Sequence, residues 1–134
     1  MWWTVDTLGE LRHLYTTSSV AVIGGSFLPG LAGHNIPEAA AAGCAVLTGH
    51  HVGHFSHMVK EMQCLNPLSV IQVSSTLELE EAIMEPLNDA NVLDGRHMAA
   101  KQAFHALSSG IVVNVWNLLN FHVLRVSLLK KKSR

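Results

Sequence analysis

Charge is what this sequence has least of. Only 14% of its 134 residues are Asp, Glu, Lys or Arg, against an apolar share of 49%, where an average soluble domain is about 25% charged. Net charge is −1 with the nine histidines neutral, so there is no general electrostatic pull toward nucleic acid. The one run of like charge, the "KKKSR" tail, reads as a solvated end. Cysteine is also scarce. Cys44 and Cys64 fit no zinc-binding spacing, and one disulfide would be a weak framework, so both are expected as thiols. The first residues, "MWWTVDTLGE", hold no basic region followed by an apolar core and are not rich in Arg and Ser, so neither a secretory signal nor a transit peptide is expected in them. No G-x-S-x-G elbow occurs and no Ser/His/Asp set can be assigned by spacing, so nucleophilic catalysis has little support. Cys44, beside Gly43 and before an apolar run, reads as a small buried residue.

An uninterrupted apolar run of about 20 residues, the requirement for a spanning helix, is absent too. Residues 111–129, "IVVNVWNLLNFHVLRVSLL", come nearest, but Asn114, Asn117, Asn120, His122 and Arg125 interrupt them. The asparagines recur at a spacing of three, near one helical face, which describes an amphipathic helix better than a membrane span.

What is present reads as one α/β domain. Residues 20–23 form a short apolar, β-rich run ending at Gly24-Gly25, residues 45–48 a second closed by Gly49, and residues 69–73 a third; residues 2–5 read as the end of a fourth strand. Helix-like segments over 8–15, 36–42, 55–63 and 77–87 alternate with them, the pattern of a parallel sheet with helices on both faces. After Asp89 the β signals stop, and two helices are expected, 93–107 and 111–129, broken at Ser108-Ser109-Gly110. The expected division is a Rossmann-like domain over 1–108 and an amphipathic helix with a basic tail over 109–134.

Doubly wound sheets bind ligands at the carboxyl ends of their strands. Two adjacent strand-end loops hold most of the unusual residues: "GGSFLPGLAGHNIPE" after the first strand and "GHHVGHF" after the second. Asn35 before Ile36-Pro37 marks a helix start whose free N–H groups suit a phosphate. Gly24 and Gly25 allow close backbone approach, Ser26 offers a hydroxyl, and Glu38 can accept from two neighbouring hydroxyls. A structural reading competes. Asn35-Ile36-Pro37-Glu38 is an N-x-x-E arrangement near a capping box, in which both side chains would only close the helix.

The ordered set "DTLGEL" at 6–11, Leu14-Tyr15, "IGGS" at 23–26, "GHNIPE" at 33–38 and "GHH…HF" at 49–55 resembles the C-terminal domain of the 3-deoxy-D-manno-octulosonic acid (Kdo) transferases over residues 5–107. The resemblance implies half of a GT-B fold, two Rossmann-like domains facing each other across a cleft. It implies transfer of Kdo from CMP-Kdo to a lipid A precursor with inversion, in lipopolysaccharide-type synthesis, without a metal or other cofactor. It places Gly25 and Ser26 on the phosphate side of CMP, and Gly33, His34, Asn35 and Glu38 in the G-H-N-x-x-E motif, with Glu38 on the ribose hydroxyls. Ala32 stands where the family favours Gly, Ala39 where it favours Pro, and Gly49-His50-His51 and His54-Phe55 where it favours Gly-Pro-His and Asn-Phe. No catalytic residue is assigned within the chain. The family's catalytic carboxylate and acceptor surface belong to an N-terminal domain not seen here, so the chain is expected to be a truncated piece, inactive in transfer by itself. That domain, or a full-length transferase, is the expected partner. Residues 111–129 would pack on it or lie on a membrane surface, and the location implied is membrane-associated, at the bacterial inner membrane or in a plant organelle such as the mitochondrion.

Two further readings stand. The chain could serve as a non-catalytic interaction partner through its apolar surface. His50, His51, His54 and His57 could form a metal-binding module, since on a helix His50 with His54, and His54 with His57, would share a face.

Overall fold

A computed structural model of the chain describes residues 4–5 and 9–124. The chain divides into two compact units, Met1–Phe104 and His105–Arg134. The first contains three parallel strands, β1 (Val20–Ile23), β2 (Ala45–Thr48) and β3 (Val70–Gln72), in the spatial order β1-β2-β3. Its helices are α1 (Leu11–Thr17), α2 (Ile36–Ala42), α3 (Ser56–Leu65), α4 (Thr76–Asn88) and the first half of α5 (Ala90–Leu119).

Register decides what each face of the sheet carries. Ala21, Val46 and Val70 are aligned, as are Val22, Leu47 and Ile71. Alternation along each strand therefore puts Val20, Val22, Leu47 and Ile71 on one face and Ala21, Ile23, Val46 and Val70 on the other. On the first face Leu47, Val20 and Ile71 pack with Val73 and Phe27 against Leu79, Ala82 and Ile83 of α4. On the second lie α2 and α3. The side chains of Ile23 and Ile36 meet around Gly33, and Gln63 of α3 donates to the Val70 carbonyl at 3.0 Å. Helices thus flank both faces, as the alternating pattern predicts. The central strand is buried along its whole length, a parallel strand covered on both sides.

α2 reaches the sheet through Ile36, Ala39 and Ala40, all fully buried and spaced i, i+3, i+4 on one stripe. Two alanines in that stripe bring the helix axis close to the strands, and Cys44 closes the turn behind it. Gly43, at φ +83°, ends α2 in the left-handed region that favours glycine. Cys44 is buried with its Sγ 3.0 Å from the Tyr15 carbonyl, and burial raises its thiol pKa. This is the inert, structural cysteine expected from its neighbours; Cys64 is a free thiol on the surface. α4 and α5 are joined by Arg96, whose buried guanidinium donates to the Ala82 carbonyl at 2.8 Å and pairs with Glu85.

Two expectations change. The helix break at Ser108-Ser109-Gly110 is not formed: α5 runs unbroken from Ala90 to Leu119. A mid-helix glycine costs only about 1 kcal/mol relative to alanine, which the ongoing hydrogen-bond ladder of a long helix absorbs. Thr4 and Val5, part of the expected fourth strand, form no strand; Trp2 and Trp3 lie outside the described residues.

In the second unit, the helix continues to Leu119 and ends in a π-helical turn, Asn120–Leu124. Its apolar side chains are exposed: Val112 at 67%, Trp116 at 59%, and Ile111, Val113, Val115, Leu118, Leu119 and Phe121 likewise. No helix among the described residues is long and apolar enough to cross a membrane. Of the expected segment 111–129, residues 125–129 lie outside the described part.

Candidate functional site

The two strand-end loops do meet, and one buried side chain holds them. After β1 the chain makes a 3-10 turn, Gly24–Phe27, that turns Ser26 inward to complete burial. The Ser26 hydroxyl donates to the Ile23 carbonyl and accepts from the Gly49 N–H at 2.7 Å. The Ser26 carbonyl accepts from the His51 N–H at 2.9 Å, and the His51 carbonyl accepts from the Gly33 N–H at 2.8 Å. First loop, second loop and first loop again are stitched in sequence at the carboxyl ends of β1 and β2.

The glycines are explained by this closeness. A Cβ on Gly49 would stand 2.4 Å from the Ser26 carbonyl oxygen, and one on Gly25 would stand 2.6 Å from that of Ala32. Gly33 is buried against Ser26, Ile23 and Ile36. Gly25, Ser26 and Gly33 therefore shape the loop from within, and the Ser26 hydroxyl is already engaged inside the fold. Of the expected ligand residues in the loop, those turned outward are the exposed His34 and the half-buried Asn35.

Asn35 does not cap α2. Its backbone is left-handed, at φ 67° and ψ 8°, and its side chain makes no capping hydrogen bond. The capping-box reading fails because an N-cap needs extended backbone geometry for its side chain to reach the N2 or N3 amide. Asparagine is still a good choice there, since it tolerates left-handed backbone better than most residues.

Glu38 projects from the first turn of α2 into a cleft between α1, α2 and the end of the first unit's part of α5. The cleft has a volume of about 310 Å³, bounded by Arg12, Thr16, Pro37, Glu38, Ala41, Ala42 and Phe104. No loop residue from 24 to 35 lines it, so of the six sequence-expected residues only Glu38 reaches it. Glu38 and Arg12 form no ion pair or hydrogen bond among the described residues. The field of the Glu38 carboxylate is felt by Tyr15: burial first, then Glu38, then Cys44 raise the phenol above its ordinary 10.0. Arg12, Thr16 and Phe104 were not foreseen as neighbours of Glu38. Arg12 and Thr16 share a helical face at i, i+4, a signal in the sequence, whereas Phe104 arrives only through the fold.

The histidines separate. Residues 50–52 are irregular, 53–55 form a 3-10 turn and α3 begins at Ser56, so the helical pairing of His50 with His54 does not arise. His50 Nε2 lies 2.9 Å from the Ser74 hydroxyl, and His57 stands 3.5 Å from Glu61 on the surface of α3. Among the described residues no three His, Cys, Asp or Glu side chains group as metal ligands.

No protein-family model matches the chain, and no solved structure matches it. Named proteins do. A protein of Arabidopsis thaliana, the "probable 3-deoxy-D-manno-octulosonic acid transferase, mitochondrial", is 60% identical over 92% of this chain. The 3-deoxy-D-manno-octulosonic acid transferase of Bordetella pertussis is 43% identical over 42% of the chain, and that of Haemophilus influenzae 33% identical over 61%. The aligned region covers 28%, 13% and 18% of these three relatives, so the chain spans well under a third of their length. Over nearly all of its own length, the chain is a relative of one segment of the 3-deoxy-D-manno-octulosonic acid transferases.

Proposed function

We propose that this chain is the donor-binding portion of a Kdo transferase of GT-B architecture, holding CMP-Kdo while Kdo passes to a lipid A precursor. The observation that carries the reading is the 60% identity over 92% of the chain, together with a carboxylate, Glu38, that has no ion pair among the described residues and lines a cleft of α1, α2 and α5. In the transfer an acceptor hydroxyl attacks the anomeric carbon as the bond from that carbon to the phosphate oxygen breaks. CMP leaves with the electron pair, and the hydroxyl proton goes to a base supplied by a second domain. The donor half holds the nucleotide in place for that step and accommodates it as it leaves. Glu38 accepts from the ribose hydroxyls, and Asn35 and His34 face the ligand. Gly25, Ser26 and Gly33 hold the loop in the shape that lets backbone approach the phosphate. The second domain, or a full-length transferase, is the partner. An organellar location follows from the mitochondrial relative, with residues 109–134 as a peripheral membrane or inter-domain contact.

A charge-assisted hydrogen bond contributes roughly 1.5–3 kcal/mol. Glu38→Ala is therefore expected to weaken CMP binding about 10- to 150-fold in an equilibrium titration, and unchanged affinity would sink the assignment of the ribose to Glu38.

A second reading, association without catalysis, draws on the exposed apolar side chains of residues 111–121. Co-purification with a full-length transferase without any CMP affinity would favour it.

A further inference from the structure

The cleft beside Glu38 contains a cation and an aromatic ring that the proposed donor site has not used. We infer that Arg12 reads the base of the nucleotide, selecting cytosine over uracil, an inference that rests on the CMP reading above. The geometry points there by elimination along the ligand. The 5′-phosphate and the base leave a ribose on opposite sides of its 2′,3′-diol. With the diol on Glu38 and the phosphate at the stitched loops, the base is directed away from those loops. The space on that side is the cleft of Arg12, Thr16 and Phe104, which no loop residue lines.

The cleft suits a flat heterocycle. Pro37, Ala41, Ala42 and Phe104 supply its apolar wall, and Arg12 and Thr16 the polar edge. Its volume of about 310 Å³ lies at the lower end of the 300–1,000 Å³ typical of ligand pockets, right for one end of a nucleotide. Arg12 is exposed, lies in the first turn of α1, and makes no ion pair or hydrogen bond with a neighbour among the described residues. Its guanidinium is a planar fork of N–H donors. Cytosine presents two adjacent acceptors, O2 and N3, that match such a fork. Uracil carries a proton on N3, so the second donor would meet another donor. A site built around a hydrogen bond rejects the analogue that cannot make it, because a polar group is left unpaired.

The test is a set of equilibrium titrations of the 134-residue chain with CMP, UMP and cytidine, on wild type, Arg12→Met, Arg12→Lys and Glu38→Ala. Arg12 is on the surface, so neither substitution there disturbs the core. Wild type is expected to prefer CMP to UMP by about tenfold or more. Arg12→Met and Arg12→Lys should bring the two within about threefold of each other, the lysine showing that the fork rather than the charge discriminates. Glu38→Ala should weaken both nucleotides alike and keep their ratio. An unchanged CMP-to-UMP ratio in both Arg12 variants overturns the inference and leaves the donor site standing. So does a loss of preference for CMP over cytidine with the base ratio intact, which would give Arg12 to the phosphate. Absence of CMP binding by wild type overturns the donor-site reading itself, and this inference with it.

Discussion

Ser26 shows how a residue that looks like a ligand contact becomes a structural one. Its position in a Gly-Gly-Ser turn advertises a free hydroxyl, yet that hydroxyl is fully buried between the Ile23 carbonyl and the Gly49 N–H. Ser26→Ala leaves the buried Gly49 N–H without an acceptor, a loss of about 1–3 kcal/mol that chemical denaturation would read. Gly49→Ala should cost at least as much, since the new methyl would meet the Ser26 backbone at 2.4 Å and overpacking against backbone cannot relax through a rotamer. If Ser26→Ala were as stable as wild type but bound CMP poorly, the hydroxyl would be a ligand contact after all. Tyr15 offers a second measurement at this scale, because it is the chain's one tyrosine and absorbance reports its ionisation directly. Its midpoint should lie above 10.0, and Glu38→Gln should move it back part of the way while the larger contribution, burial, remains. A raised phenol keeps its proton longer in the folded than in the unfolded chain. The stability it adds is whole below pH 10.0 and is lost as the pH climbs through the folded value. A midpoint at 10.0 or below would contradict the packing of α1 against α2.

At the scale of elements, strands and helices were legible from alternation and turn residues, and their ends only where glycine or proline marks them. β1 and α2 fall where the sequence puts them, because each is bounded by glycine or proline with an unambiguous backbone preference. Caps are different, since they depend on a single dihedral angle. The N-x-x-E at Asn35–Glu38 looks like a capping box and its asparagine makes no cap, while Ser75 does cap α4: Ser75 Oγ accepts from the Glu78 N–H at 3.2 Å, and Glu78 reaches back past the cap to accept from the Ser74 N–H at 2.6 Å. Ser75 is extended and Asn35 left-handed, and that contrast explains the outcome. Ser75→Ala should therefore destabilise the fold by about 1 kcal/mol. Asn35→Gly should leave stability within a few tenths, because glycine adopts positive φ freely, and should still weaken CMP binding. A drop in stability for Asn35→Gly equal to that for Ser75→Ala would restore the cap. The missing break in α5 teaches the same lesson from the other side: Ser-Ser-Gly marks a weak point in a helix, and only tertiary context decides whether the chain bends there.

Across the whole molecule, the loops of the proposed site lie at the carboxyl ends of β1 and β2, where a parallel sheet ordinarily binds its ligand. In the sequence the glycines read as room for a ligand, and Gly49 and Gly25 instead make room for backbone, at the Ser26 and Ala32 carbonyls. The cleft was harder to read, because it is assembled from α1, α2 and α5, and Phe104 is 66 positions from Glu38 along the chain. Cleft-lining residues separated that far in sequence carry no shared local pattern. The scarcity of charge has its counterpart in the exposed apolar surface of residues 111–121, where side chains suited to a buried interface meet solvent. The proposed function makes the two loops and the Glu38 cleft one nucleotide site. Its most direct test is a CMP titration followed by two-dimensional amide NMR on wild type and Glu38→Ala. A dispersed spectrum is expected in which shifts concentrate in residues 24–38, 49–55 and the amides of Arg12, Thr16 and Phe104, and fade in the variant. A dispersed spectrum indifferent to CMP, or one whose shifts fall elsewhere, would contradict it.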